Sequence, residues 1–322
     1  MRLSFDLGVA ALVNAAFPYV IALDSTMIAG LQYTTGLVTV KAGLGWEIQI
    51  NGVTVGAGVG TGAPQSATIN LLPGTIGSPV TAALIVGGKT VATQSVTVTA
   101  PTIWLDSLYG LTPRIDGPTV YVESRADQSG TGIGNITQAN TSQQPVFDGS
   151  EDVYDGVDDR MQTYGSLSVL RFLHTSFTAG VVVNLISVPS TRYIWDTALA
   201  NPSTVGSFIY TAASLGINAA VQNGSVSILA IAPGGTLSIG LNRIILSFDA
   251  TNGLTLYANG SLITNTPIGA FVPASGSDPV SQLGLSDGTR LNAGYRAFVA
   301  HNSVLGATDL ARFDDFLASR LP

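Results

Sequence analysis

The chain has 322 residues, no cysteine and a formal net charge of -7, and only 10% of its residues are charged. The missing cysteines exclude a disulfide framework, a thiolate nucleophile and a zinc–cysteine centre, and acidity without any Lys/Arg cluster argues against nucleic acid or an anionic membrane as partner. The length allows two domains, or one large β-sandwich with an added module, with apolar residues enough for sizeable cores.

Taken in chain order, Leu7 to Leu23 is a largely apolar stretch after Arg2. Asp6 precedes it and Asn14 and Pro18 interrupt it, so it reads as strand and loop ahead of an uncleaved signal or a membrane anchor. Residues 1 to 100 then alternate apolar with small polar residues between glycine turns. Strands are expected at Leu37 to Val40, Trp46 to Ile50 with Asn51-Gly52 after it, Thr68 to Leu72, Val80 to Val86 and Val91 to Thr99, a spacing that suggests an immunoglobulin-like sandwich. Gly56 to Gln65, GAGVGTGAPQ, reads by composition as an exposed flexible loop. Ala83 to Thr90, ALIVGGKT, satisfies a loose phosphate-loop pattern, but that chemistry needs a helix to follow, and VATQSVTVTA is a strand. Gly87-Gly88 is therefore expected to be a hairpin turn.

Ala100-Pro101 is the expected domain boundary, because proline ends strand pairing and biases the residue before it to extended geometry. Beyond it, Ile103 to Ser107 (IWLDS) opens a new strand, and the chain is loop-rich from Asp116 to Pro145. Arg243 to Ile263 reads as a β-hairpin, with Asn252-Gly253 supplying the tight turn and Asn259-Gly260 turning the chain again. Near the end, Thr308 is placed to cap a helix whose first turn holds Asp309 and whose apolar stripe is Leu310, Phe313, Leu317 and Leu321.

Four pieces fall in the order of a known family. IWLDS, ADQSGTGIGNITQAN (Ala126 to Asn140), the proline of Gln144-Pro145, and YDGVDDRM (Tyr154 to Met161) resemble the opening of bacterial and phage concanavalin A-like (laminin G-like) domains. The tail from Gly294 to Pro322 is similar to their last strand and terminal helix, and the hairpin to their back-sheet pair. The tryptophan usual before Asp-x-Ser-Gly is missing, Tyr121 being the nearest aromatic. The resemblance covers about 101 to 322 and implies a jelly-roll sandwich with a short C-terminal helix. The whole chain is thus expected to be all-β, with an immunoglobulin-like module at 1-100 and a lectin-like one at 101-322.

Carbohydrate recognition needs exposed aromatic faces beside Asp or Asn groups. RYIWD offers Tyr193, Trp195 and Asp196, with Tyr210 as a neighbour, against the reading that Trp195 alternates into the core. The acidic cluster Asp148, Glu151, Asp152, Asp155, Asp158 and Asp159 lacks the regular spacing of an EF-hand loop. Its expected role is turn formation and capping, with calcium at Asp155, Asp158 and Asp159 as the alternative. The resemblance implies that Asp155, Gly156, Asp158 and Asp159 shape the entry to a strand. No other cofactor is expected. The paired carboxylates of laminarinase-like enzymes, Glu-x-Asp-x-x-Glu, are absent, Glu47, Glu123 and Glu151 lying in unrelated contexts. His174 and His301 stand near no Gly-x-Ser-x-Gly elbow, and each is expected to be structural.

The function expected on these grounds is non-enzymatic. It is that of a phage virion structural protein, of capsid-decoration or tail-fibre type, displaying the lectin-like module for glycan or host attachment. Residues 1-100 would meet other virion proteins or sister subunits in a homo-oligomer, without membrane insertion. A secreted bacterial polysaccharide-binding protein is the alternative and a glycoside hydrolase the third reading.

Overall fold

A computed structural model describes residues 17–130, 135–162, 176–188, 191–197, 205–272, 282–283 and 291–321. Val9, Leu12 and Val13 of the N-terminal apolar stretch, and His174, lie outside the described residues. The described residues are all-β apart from one α-helix and short 3-10 turns, and the chain divides into two compact units.

The first unit comprises residues 1–27, 33–70 and 77–98. Its strands are β1 (Val20–Ala22), β2 (Thr26–Ile28), β3 (Gln32–Thr39), β4 (Gly45–Ile50), β5 (Val53–Val59), β6 (Pro64–Asn70), β7 (Gly77–Val86) and β8 (Lys89–Thr99). They form two sheets, β1-β3-β6 and β2-β8-β7-β4-β5. Alternation puts Trp46, Ile48 and Ile50 of β4 inward and leaves Glu47 outside. Two turns follow their sequence signals: Asn51-Gly52 with φ of 51° and 77°, and Gly87-Gly88 with 57° and 74°.

The glycine-rich stretch Gly56 to Gln65 departs from the loop reading, since Gly56 and Gly58 lie inside β5 and Pro64 opens β6. A Cβ on Gly56 would stand 2.6 Å from the Thr68 carbonyl oxygen, and one on Gly58 2.6 Å from the Trp46 ring. These glycines permit close approach; they do not mark flexibility.

The second unit comprises residues 28–32, 71–76 and 99–322, so it includes two short segments from the first hundred residues. Gly30 N donates to the Leu71 carbonyl (3.1 Å), and Leu71 N to that of Leu31 (3.4 Å). Its strands are β9 (Ile103–Asp106), β10 (Leu111–Asp116), β11 (Thr119–Arg125), β12 (Ile136–Thr137), β13 (Val146–Phe147), β14 (Asp152–Asp155), β15 (Met161–Gln162), β16 (Phe177–Ser187) and β17 (Arg192–Asp196). β18 (Val205–Ala212), β19 (Gly216–Asn223), β20 (Ser227–Ile231), β21 (Gly240–Asp249), β22 (Gly253–Ala258), β23 (Ser261–Pro267), β24 (Gln282–Leu283), β25 (Asn292–His301) and helix α1 (Ala307–Ala318) complete it.

Two layers face one another. One runs β9-β25-β16-β21-β22-β23 and the other β12-β15-β24-β17-β18-β19-β20. β11 pairs with β10, β12 and β13, and β13 with β14, which reaches β25. The core between the layers takes Ala179, Val181, Val183 and Leu185 from β16, Leu246 and Phe248 from β21, and Ile209, Ile217 and Val221 from the facing layer.

β16 is buried on both faces, so it reads as an almost continuous apolar run without alternation. Its outer side carries α1: a Cβ on Gly180 would stand 2.6 Å from Leu317 Cδ1 and 2.8 Å from Phe313 Cζ, so only glycine lets the helix sit this close. Trp104 meets Phe316 edge-on at 5.4 Å. Asp314 accepts from Arg243 Nε (2.6 Å) and Nη2 (3.1 Å), and Arg320 Nη2 donates to both oxygens of Asp106 at 2.5 Å. The helix begins two residues earlier than the Thr308 cap implied. Gly306 is the N-cap, and the buried stripe is Phe313, Phe316 and Leu317, with Leu321 beyond the helix.

The hairpin β21–β22 forms, but through a different turn and so in a different register from the one an Asn252-Gly253 turn implies. Asp249 pairs with Gly253, leaving Ala250, Thr251 and Asn252 as a three-residue loop. Asp249 Oδ1 accepts from Thr251 N (2.8 Å) and Asn252 N (3.2 Å), and these bonds hold its carboxyl below the ordinary range. Asn259-Gly260 is the tight turn, with φ of 52° and 83°.

Candidate functional site

In β17 the pairing with β18 runs Tyr193↔Tyr210, Trp195↔Ile209, Asp196↔Phe208, so one extra residue, Ile194, is inserted between two pairs. This β-bulge reverses the facing of everything after it. Tyr193 points away from the core, Ile194 and Trp195 both enter it, and Asp196 returns to the outer side. Tyr295 fastens the bulge by donating its hydroxyl to the Ile194 carbonyl. Trp195 is 1% exposed and meets Phe298 edge-on at 5.2 Å, so it offers no stacking face to a ligand; strict alternation would have placed it beside Tyr193.

The outer side of β17–β20 carries two cross-strand rows. One is Tyr193, Tyr210, Asn218 and Ile231; the other, passing through Gln282 of β24, is Asp196, Phe208, Ala220 and Leu229. Three rings pack together: Tyr193–Tyr210 at 5.4 Å, Tyr193–Phe208 at 5.8 Å and Phe208–Tyr210 at 5.8 Å. Exposure is graded. Asp196 and Ala220 are buried and Phe208 nearly so, Tyr193, Tyr210 and Asn218 are half-buried, and Leu229 and Ile231 are 41% and 63% exposed.

Asn218 Nδ2 donates to the Tyr210 hydroxyl oxygen at 3.1 Å, which leaves that hydroxyl's own proton for a further partner, while Asn218 Oδ1 has no hydrogen-bond partner. Burial, the neighbouring Asp196 charge and Tyr210 together push the Tyr193 hydroxyl up to about 12, so it stays a neutral donor across the physiological range. Chemically the face offers ring surface, apolar side chains and an amide held by its hydrogen bond to Tyr210.

The sequence named Tyr193, Asp196 and Tyr210, which the fold brings to one side, and missed Phe208, Asn218 and Leu229. The signal for Phe208 was present: Phe208 and Tyr210 stand two apart in SFIYTA, as residues on one side of a strand do.

The acidic cluster is dispersed by the fold. Arg125 pairs with Asp152 through Nε (2.9 Å) and Nη2, both side chains being buried. Glu151 accepts from Arg296 Nε (3.0 Å) and Asn184 Nδ2 (2.8 Å). Asp148 Oδ1 caps the turn by accepting from Ser150 N and Glu151 N, each at 2.8 Å. Only Asp155, Asp158 and Asp159 have carboxylate oxygens within 4.8 Å of one another. Asp155 Oδ1 accepts from Val157 N (2.7 Å) and Asp158 N (3.2 Å), and Asp159 Oδ2 accepts from Asp155 N (2.9 Å). The carboxylates of Asp155 and Asp159 thus help to shape the turn.

His301 is buried against Phe313, ring centroids 5.3 Å apart, and its Nε2 has no hydrogen-bond partner. Burial pulls it down to about 4, so it is a neutral core residue at physiological pH. No helix among the described residues is long and apolar enough to cross a membrane.

No protein-family model and no curated protein matches the sequence. Solved structures do. A Trypanosoma rangeli sialidase in complex with 2,3-difluoro-KDN matches over 83% of this chain and 43% of its own, at 12% identity and a TM-score of 0.49. The CBM40 of Ruminococcus gnavus IT-sialidase bound to α2,3-sialyllactose matches over 45% of this chain and 82% of its own, at 16% identity and a TM-score of 0.37. The binding domain of Paraclostridial Mosquitocidal Protein 1 matches over 67% and 52%, at 14% identity and a TM-score of 0.48. The chain spans less than half the length of the sialidases it matches. At these identities and TM-scores below 0.5 the likeness assigns this chain no role. The expectation of a non-enzymatic protein is corrected at this point: sialidases stand among the matched structures, so the missing Glu-x-Asp-x-x-Glu strand does not exclude catalysis on this chain.

Proposed function

We propose that the second unit is a glycan-recognition module and that its binding face is the outer side of β17–β20. The observation that carries this is the half-buried pair Tyr193 and Tyr210, their rings 5.4 Å apart, with Tyr210 hydrogen-bonded to Asn218. A pyranose ring has an apolar C–H face and a rim of hydroxyls. Rigid tyrosine rings beside a fixed amide suit both parts. The test is a glycan array probed with the full chain. Binding is expected, and Tyr210→Ala is expected to remove it while leaving the unfolding transition cooperative. A variant that binds as the wild type does would exclude this face. Sugar released from any bound member would make the same face a substrate site.

Display on a phage particle, with residues 1-100 turned toward virion proteins or sister subunits, belongs to the same proposal. Its support is composition: few charges, no cysteine, and a lectin-like module behind a second β-unit. Antibody labelling in electron micrographs tests it. Label confined to the culture medium would favour the secreted polysaccharide-binding reading.

A further inference from the structure

We propose that a cavity beside the end of α1 binds a small oxyanion, a phosphate or a carboxylate, between Arg296 and Arg320. The site shares no residue with the β17–β20 face. The cavity, of about 130 Å³, lies where the turn after β9 (Ser107, Leu108), Ser150 and the residues following α1 meet Arg296 of β25. A cavity of about 150 Å³ takes one benzene-sized molecule, so this one suits a ligand of a few heavy atoms. A bulge frees Arg296 for it. β16 and β25 pair Val182↔Ala297 and then Val183↔Tyr295, so Arg296 is the extra residue, with no partner on β16, while Tyr295 stays in the core.

Each guanidinium spends only part of its donor set. Arg296 Nε donates to Glu151 Oε2 (3.0 Å) and Nη1 to the Arg320 carbonyl (3.4 Å), and Arg320 Nη2 donates to both oxygens of Asp106 (2.5 Å). Arg296 Nη2 and Arg320 Nε and Nη1 have no partner among the described residues, and the two side chains keep 17% and 10% of their surface open. Asp106 and Glu151 are buried, and no acid lines the cavity among the described residues. The other lining donors are spent. Ser107 Oγ donates to the Ser150 carbonyl (2.6 Å), Ser319 Oγ to that of Phe316 (2.6 Å) and Ser150 Oγ to Asp148 Oδ1 (2.9 Å). The backbone amides of Ser107, Leu108, Ser150, Ser319, Arg320 and Leu321 are bonded as well. What the cavity still offers is guanidinium N–H from two sides, which suits an oxyanion through forked, charge-assisted hydrogen bonds. Asp106 and Glu151 offset the charge, but an oxyanion in contact with the N–H groups stands nearer the guanidiniums than the acids behind them. Leu108 and Leu321 add an apolar wall.

The experiment is isothermal titration of the full chain with inorganic phosphate and, separately, with propionate. At least one is expected to bind with a Kd of about 1 mM or tighter, weakening as sodium chloride rises. Phosphate alone would identify the anion as a phosphate and propionate alone as a carboxylate, and either result upholds the site. Leu108→Glu places a carboxylate at a side chain that is 56% exposed and belongs to neither ion pair. It should weaken binding at least tenfold and leave the unfolding midpoint unchanged. Arg296→Lys keeps the charge but loses the fork, and should weaken binding about tenfold. Binding of neither anion, or binding that both variants leave unchanged, would overturn the proposal.

Discussion

On one side of the second unit, β16 and β25 bury their outer residues beneath α1; on the other, β17, β18 and β19 leave theirs partly open. The helix side and the corner beside it are closed by paired groups. Phe313 and Leu317 lie on Gly180, Trp104 meets Phe316, and three acids, Asp106, Asp152 and Glu151, each hold an arginine. The open side has aromatic rings that touch one another at 5.4–5.8 Å, an amide oxygen without a partner and two exposed aliphatic side chains. A folded chain gains nothing in stability by leaving tyrosines half-covered beside an unsatisfied amide. Under the proposed function the closed side serves stability and the open side recognition, and substitutions on the two sides should differ in what they cost.

The largest loss is expected at the buried ion pair. Arg125→Ala leaves Asp152 charged and buried without its partner, a change that typically destabilises by about 3–5 kcal/mol. Denaturant unfolding measures it. Arg125→Met combined with Asp152→Leu should recover much of the loss, because the desolvation cost of both charges is removed together. A cost under about 1 kcal/mol for Arg125→Ala would show that this corner is open to water after all.

Acidification should weaken the helix side next. The His301 imidazole has a folded-state value of about 4 against 6.5 for the free group, so the unfolded chain binds its proton first as pH falls. The stability this residue contributes is complete above pH 6.5 and is lost progressively toward pH 4, by about 3 kcal/mol in all. His301→Leu should flatten the pH dependence in that window relative to wild type. An unchanged slope would show that His301 does not titrate inside the core.

A smaller effect is expected where the helix rests on the sheet. Gly180→Val forces a side chain into the space held by Leu317 and Phe313, and overpacking of this kind costs about 1–3 kcal/mol. Loss of helical circular dichroism ahead of the main transition would locate the damage at α1.

How far the sequence carried these distinctions depended on the range of the forces involved. Asn51-Gly52 and Asn259-Gly260 were legible, because a tight turn is decided by the residues within it. Asn252-Gly253 carried the same letters and formed a different turn, because the Asp249 carboxylate captures the amides of Thr251 and Asn252. Gly56 and Gly58 looked like a loop, since the reason for glycine there, Thr68 and Trp46 pressed against them, comes from elsewhere in the chain. Half of the aromatic face was readable, as Tyr193 and Tyr210. The other half was hidden by the bulge at Ile194, which sends Trp195 inward and pairs Asp196 with Phe208. A bulge is fixed by what the neighbouring strand and the Tyr295 hydroxyl offer, and no local pattern in RYIWD announces it.

The smallest effect on folding, and the most informative about recognition, is expected at Tyr193. Its hydroxyl makes no hydrogen bond among the described residues, so Tyr193→Phe removes one oxygen and should change stability by no more than about 0.5 kcal/mol. Tyr193→Ala also removes the ring from its contacts with Tyr210 and Phe208 and should cost about 1 kcal/mol. A glycan titration then separates ring from hydroxyl. If a sugar stacks on this ring and receives the hydroxyl proton, the phenylalanine variant should bind about tenfold more weakly, the loss of one hydrogen bond to a ligand, and the alanine variant more weakly still. Equal binding by wild type and the phenylalanine variant, with loss only in the alanine variant, would reduce Tyr193 to a stacking surface. Equal binding by all three would move the ligand away from β17, toward Ile231 and Leu229 at the far end of the same rows.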